Sequence, residues 1–438
     1  MASAARKIPT HLKKIMKKTN KPELIFLCGN LAILLFLTLK GPLLTSASAS
    51  YLSLAPYRTP IYPLFLAGLQ PLSSAHFLSL AVFIQTALTL VAAILFCRAL
   101  QRRFSWSRAV TLLSHLITIL PLFELPLCPL CQAIGNTIGA EGLAYPAFLC
   151  FCTVGLRALS ESNLKSILLL SFASALCAAI SPQLVFCYPA VLFALFSGWR
   201  NKTVAPLKLA TALFALLVFH SLFSLGNKIY SGFTPNPFPR QQLLATILHV
   251  CAPEDAALFE TAQDSATIKT VFTRIEELKA FSEQRYLFQR SLAKHHEQSI
   301  NTIRWLALHS SFEAALDRNL PEKERMGRLN DAYGRMLTVL VPAKKAELTK
   351  FYLLMLWQYS SLLTLTAFAF MLFFMRVYHL NKTENRFALM CWLTAFSNLL
   401  LLIMSATVVD SHLLYTRPLL IISFLVLFHS WRTPRNAA

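Results

Sequence analysis

Long apolar runs separated by short, mostly basic segments set the plan of this chain. The first run extends from about Glu23 to Leu39 and is apolar enough to cross a bilayer as a helix. It leaves at Lys40-Gly41-Pro42. Further runs follow at about His76–Cys97, Ala109–Leu125 and Leu143–Gly155. The apolar stretch Ser166–Ser197 is split by Ser181-Pro182, where proline disfavours a continuous helix, so it reads as two short spans around a tight external turn. A seventh span follows at about Leu209–Leu225. Phe351–Phe374, Phe387–Val408 and Leu419–Phe428 complete a set of about ten.

Between 226 and 350 the pattern changes. Ile268, Val271, Phe272, Ile275, Leu278 and Phe281 recur at helical spacing on an otherwise polar background. A second pattern opens at Pro321, a favourable first helical residue, and stops at Pro342. The expectation is an all-α polytopic membrane protein, a bundle of about ten transmembrane helices plus a helical external domain. Its parts are a basic tail (1–21), spans 1–7 (22–225) with a first external loop (41–70), the external domain (226–350), and spans 8–10 with the chain end (351–438).

Composition agrees. Of 438 residues, 55% are apolar and only 14% charged, as in a membrane protein rather than a soluble one. The net charge of +21 suggests nucleic acid until its placement is considered. Within 228–350, 17 Lys/Arg face 14 Asp/Glu; outside, 24 face 6. Nearly all of the outer excess falls in the tails and in loops on one side, which is the positive-inside bias. A nucleic-acid surface needs its charge on one soluble face. Both termini are therefore expected in the cytoplasm and the large domain outside. The sequons at Asn201 and Asn381 then lie inside and read as unmodified. The apolar run after the basic tail is long and lacks a small-residue cleavage site, so no cleavable signal peptide is expected. Its lysines suit anionic headgroups.

The stretch Tyr51–Leu69, YLSLAPYRTPIYPLFLAGL, is amphiphilic and carries Pro56, Pro60 and Pro63. It reads as short helices lying along the membrane surface. Once cytoplasmic and external-domain charges are set aside, Lys40, Arg58, Glu124, Glu141, Asp410 and Arg417 remain. All six fall at predicted external ends of spans. None is at mid-helix, which argues against an ion path or a flippase and for a site at the outer leaflet.

Tyr51-Leu-Ser-Leu-Ala55 followed by Arg58-Thr-Pro-Ile-Tyr-Pro63 is similar to the first-loop motif of the GT-C integral-membrane glycosyltransferases that use polyprenyl-phosphate sugars. The protein mannosyltransferases and aminoarabinose transferases belong to this superfamily. Ile138-Gly-Ala-Glu141-Gly-Leu resembles the segment where such enzymes carry a glutamate at the start of span 4. Tyr415-Thr-Arg417-Pro418 lies where the family places an arginine-tyrosine-proline pattern, and Leu340–Leu354 looks like its re-entry into the membrane. The resemblance implies sugar transfer from a polyprenyl-phosphate donor to a glycan, lipid or protein acceptor at the inner membrane's external face. Catalytic candidates are Glu141 and Glu124; phosphate- or substrate-binding candidates are Arg58, Tyr51, Arg417, Lys40 and Tyr415. Two of the family's charged residues have no counterpart. Its aspartate about four residues before the first-loop tyrosine is Ala47 here, and its threonine-arginine-proline turn is Ile180-Ser181-Pro182. The alternative is an inactive relative that binds lipid-linked glycan or scaffolds envelope assembly.

Each candidate has a plainer role. Glu141 suits the positive end of a helix dipole. Glu124, within PLFELPL, needs a partner if it is buried. Arg58 suits an interfacial anchor, and Arg417 suits a pair with Asp410. His412 reads as interfacial. Cys128-Pro-Leu-Cys131 has redox spacing but no second pair to complete a metal site. No Asp-x-Asp or histidine cluster suggests a metal, and no cofactor is expected beyond the donor lipid.

Overall fold

The computed structural model describes residues 21–45, 47–55, 58–124, 133–161, 163–200, 205–232, 236–278, 300–316, 319–359, 383–405 and 415–432. Most of the basic tail and most of span 8 lie outside these residues. So do Cys128, Cys131, both sequon asparagines, Phe281, Asp410, His412 and Arg435.

The described chain is helical, without a strand. In order the helices are α1 (Lys21–Lys40), α2 (Ser48–Leu52), α3 (Ile61–Leu69), α4 (Phe77–Phe104), α5 (Arg108–Ile119), α6 (Glu141–Glu161), α7 (Leu164–Ile180), α8 (Tyr188–Arg200) and α9 (Pro206–Tyr230). There follow α10 (Phe238–Val250), α11 (Ala262–Glu277), a π-helical turn (Ile303–His309) running into α12 (Ser310–Ala315), α13 (Glu322–Ala343), α14 (Lys345–Tyr359), α15 (Thr383–Ser405) and α16 (Thr416–Arg432).

Among the described residues α4, α6 and α9 are long and apolar enough to cross a membrane, which indicates membrane association. Outward Leu207, Phe214, Leu217 and Leu222 make α9 apolar on its exposed side, a surface suited to lipid rather than water. Local chemistry sets several ends. Ser107 caps α5 by accepting from Val110 N, and Asn163 caps α7 by accepting from Ser166 N at 2.8 Å. After α7 the backbone turns extended at Ser181, and Pro182 opens a 3-10 segment to Cys187.

Two cores result. One joins α4 to α8 with α15 and α16 around Phe96, Phe148, Phe151 and Phe387. The other lies in the 238–343 segment around Leu248, Phe272, Leu308 and Tyr333, and continues into α14 through Leu348 and Phe351. Ile268, Val271, Phe272 and Ile275 face this core, as their spacing requires. Pro321 is not the first residue of α13 but precedes it with extended backbone, and the helix runs through Pro342 to Ala343. A proline in the last turn forfeits one backbone bond, and the turn still closes because Lys344 N donates to Leu340 O at 2.9 Å.

Candidate functional site

The first loop folds as two short helices over the N-terminal end of α4. Tyr51, Tyr62, Leu66 and Leu69 pack with Ala81 and Val82 of α4 and with Ile138 and Ala140, just before α6. Main-chain bonds join the loop segments: Leu43 N donates to Asn136 O at 2.7 Å and Ile138 N to Leu43 O at 3.0 Å. Ser48 Oγ, buried, donates to Ile138 O at 2.7 Å.

Gln85 of α4 stands beneath this joint. Its Nε2 donates to Thr137 O at 2.9 Å and Gly135 O at 3.2 Å, with Ile134 O at 3.4 Å. Its Oε1 accepts from the Tyr62 hydroxyl at 3.3 Å, and that hydroxyl accepts from Gly139 N at 3.0 Å. A buried amide thus satisfies carbonyls that no helix satisfies. Close backbone approach matters at two glycines. A Cβ on Gly142 would stand 2.3 Å from Gln85 Oε1, and one on Gly139 would stand 2.7 Å from Glu141 Oε2. Leu54 and Ala133 hold positive φ (both 54°), a conformation costly for residues with a Cβ, and both flank this joint.

Glu141 opens α6, half-buried, where the helix dipole favours its charge. Its carboxylate acts on Tyr51, whose phenol is pushed up to about 12, mainly by burial and then by Glu141. The Tyr62 phenol is raised as well, again chiefly by burial. The Arg58 guanidinium carbon lies 4.7 Å from the Tyr51 ring centre, and Arg58 Nε donates to Ser50 Oγ at 2.8 Å. Tyr415, fully buried, packs edge-on to Phe148 with centroids 5.5 Å apart. It too lies within electrostatic range of Glu141, and its hydroxyl has no hydrogen-bond partner among the described residues.

The structure therefore gathers Tyr51, Arg58, Glu141 and Tyr415. Lys40 and Glu124 pair with each other instead, Nζ to Oε2 at 3.2 Å. The apolar context of Glu124 predicts burial, yet its side chain is 60% exposed. A 3-10 turn, Leu120–Leu122, follows α5 and ends before Glu124, which leaves this carboxylate exposed beside Lys40. Such exposed pairs contribute about 0–1 kcal/mol. Arg417 is half-buried in the first turn of α16. Beside it, Gln183 Nε2 donates to Asn398 Oδ1 at 3.2 Å and Asn398 Nδ2 to Thr416 Oγ1 at 3.4 Å, tying the 182–187 segment to α15 and α16.

An apolar groove of about 260 Å³ runs between α4 and α6, lined by Leu88, Val91, Leu95, Leu143, Pro146 and Cys150 and ending at Ile180. Thr59 Oγ1 donates to the Ile180 carbonyl at 2.9 Å, so the loop next to Arg58 roofs that end. Among the described residues no cluster of His, Cys, Asp and Glu is suited to a metal.

Sequence reasoning passed over Gln85, Tyr62, Ser48 and Gly139. A signal existed for Gln85: a lone amide within AVFIQTALTL is costly in a span unless partnered. In comparisons with known proteins, no family model, no curated protein and no solved structure matches this chain.

Proposed function

We propose that this chain is a membrane glycosyltransferase of the GT-C type, with about ten spans and its larger domain on the external face of an inner membrane. It moves a sugar from a polyprenyl phosphate to an envelope glycan, lipid or protein. The observation that carries this reading is the assembly of Glu141, Tyr51 and Arg58 by two loops that pair through Leu43 and Ile138.

In this reading the Glu141 carboxylate takes the proton of an acceptor hydroxyl. The hydroxyl oxygen attacks the anomeric carbon from the face opposite the phosphate, and the bond from that carbon to the phosphate oxygen breaks. The charge that develops on the leaving phosphate is met by Arg58, held in place by Tyr51 and Ser50. Attack from the opposite face inverts the anomeric centre. The groove between α4 and α6 suits the polyprenyl tail. Arg417 and Lys40 are the further phosphate-binding candidates of this reading, Lys40 within its pair with Glu124. Glu124, paired with Lys40, is the weaker candidate for the base.

Ala47 favours a second reading. It stands where the family's aspartate is expected, packed against the apolar cluster of the first loop. A non-catalytic relative that binds lipid-linked glycan fits that replacement. Mass spectrometry of surface glycolipids and glycoproteins separates the two. A deletion strain should lose one defined sugar mass, restored by the wild type and not by Glu141→Gln at equal protein level. Restoration by both removes Glu141 from the mechanism, and no change in any strain leaves the non-catalytic reading.

A further inference from the structure

The 238–343 segment carries a cation packed against two touching aromatic rings, whose centroids lie 5.8 Å apart. Arg304 belongs to the π-helical turn Ile303–His309, a geometry that re-aims side chains and is common at functional sites. Its guanidinium carbon lies 4.7 Å from the Trp305 ring centre and 5.8 Å from that of Phe238. Gln241 fixes it from both ends: Arg304 Nε donates to Gln241 Oε1 at 3.3 Å, and Gln241 Nε2 donates to Arg304 O at 3.1 Å. The Trp305 side chain is 43% exposed, with Leu306 beside it at 53%.

Among the described residues no carboxylate forms an ion pair with Arg304. The charged group that acts on it is Arg58 of the first loop. Burial, and then Arg58, lower the Arg304 guanidinium to about 10, so it stays charged at neutral pH. A bound anion would supply Arg304 with a counter-charge, which no described carboxylate supplies through an ion pair.

We propose that Arg304, Trp305 and Phe238 bind an anionic saccharide, a sugar bearing phosphate or carboxylate, as the acceptor. The planar guanidinium offers paired donors to the anion. The part of the Trp305 ring left exposed by Arg304, Phe238 and His309 offers an apolar surface to the sugar ring. Arg58, whose guanidinium carbon lies 4.7 Å from the Tyr51 ring centre, is within electrostatic range of Arg304, which links this cluster to the first loop of the proposed transferase site. That this sugar is the acceptor rests on the transferase reading; that it binds here does not.

The test is equilibrium binding to the full chain in nanodiscs of neutral lipid. The probes are trigalacturonate, glucose 6-phosphate, maltotriose and inorganic phosphate. At least one anionic sugar should bind, with maltotriose at least tenfold weaker. Arg304→Gln should weaken the anionic sugar about tenfold or more, as loss of a charge-assisted pair does. Trp305→Ala, at an exposed position, should weaken the sugar but change inorganic phosphate less than about threefold. Binding of neither anionic sugar, or equal binding by Arg304→Gln, overturns the proposal. Inorganic phosphate that binds as tightly as the sugars makes this a free-anion site and also overturns it. Polyprenyl phosphate in the disc that competes with the sugar assigns Arg304 to the donor headgroup and overturns the acceptor role. Sugar binding without turnover in the wild type instead counts against the transferase reading alone.

Discussion

Replacing Gln85 by leucine should loosen the candidate site without touching any of its charged groups. The amide has two N–H donors, so of its three carbonyl contacts the two shorter ones, to Thr137 O at 2.9 Å and Gly135 O at 3.2 Å, take its protons. With the bond from Tyr62 at 3.3 Å, three buried hydrogen bonds are lost. Gly135 O keeps its bond from Thr86 Oγ1 at 2.8 Å, so at about 1 kcal/mol for each lost bond the local cost is about 3 kcal/mol. That corresponds to roughly 100-fold faster opening of the joint, since about 1.4 kcal/mol is a factor of ten. Hydrogen–deuterium exchange of the full chain in detergent reads it directly. The amides to follow are Leu43, Ile138 and Gly139, bonded to Asn136 O, Leu43 O and the Tyr62 hydroxyl. Gln85→Glu is the sharper control, because an ionised carboxylate is an acceptor only and would face three carbonyl oxygens. Exchange within about threefold of wild type in both variants would refute the view that Gln85 holds the loops together.

Three other outcomes follow from the same geometry. Gly139→Ala should leave the fold intact, because the atom its Cβ meets is the free end of Glu141, but should swing that carboxylate aside; transfer should fall about 100-fold with the thermal midpoint nearly unchanged, as for a misplaced base. With its phenol pushed up to about 12, Tyr51 remains protonated up to at least about pH 10, so Tyr51→Phe should leave the shape of the pH–rate profile between about pH 6 and 10 unchanged; a lost basic limb would contradict this. Lys344 bonds Asp255 at 2.9 Å where α13 meets α14, and the Asp255 contact raises the lysine above its usual range. A raised folded value means that this stabilisation is complete below about pH 10.5 and fades as pH climbs through the raised value. Asp255 also accepts from Ala252 N at 2.8 Å, so Asp255→Ala should cost about 1–2 kcal/mol, seen as proteolysis near the α13–α14 junction at neutral pH.

Several elements were legible because their physics is local. The periodic Ile268, Val271, Phe272 and Ile275 can bury one face only as a helix, and that face is the one buried. Apolar length marks α4, α6 and α9 as membrane-competent whatever surrounds them. Ser181-Pro182 breaks the chain because proline cannot continue a helix backbone there. Pro342 shows the limit of such rules: one missing donor near a helix end is tolerated when the next turn closes behind it.

The charged candidates divide differently. Their position at helix ends is written in the chain, because a charge in mid-span is costly. Which of them meet is not. Lys40 and Glu124 lie 84 residues apart yet pair, while Tyr51 and Glu141 come together only because Leu43, Ile138 and Gln85 dock two loops that share no sequence pattern. Arg304 comes within electrostatic range of Arg58 from a turn of π-helix that no periodicity announces. Sequence by itself determined an all-helical, membrane-associated chain with the few charges of its apolar portion away from helix middles, since burial and backbone satisfaction act along the chain. Only the tertiary structure decided which of those residues come together, since that depends on buried hydrogen bonds between segments far apart in the chain.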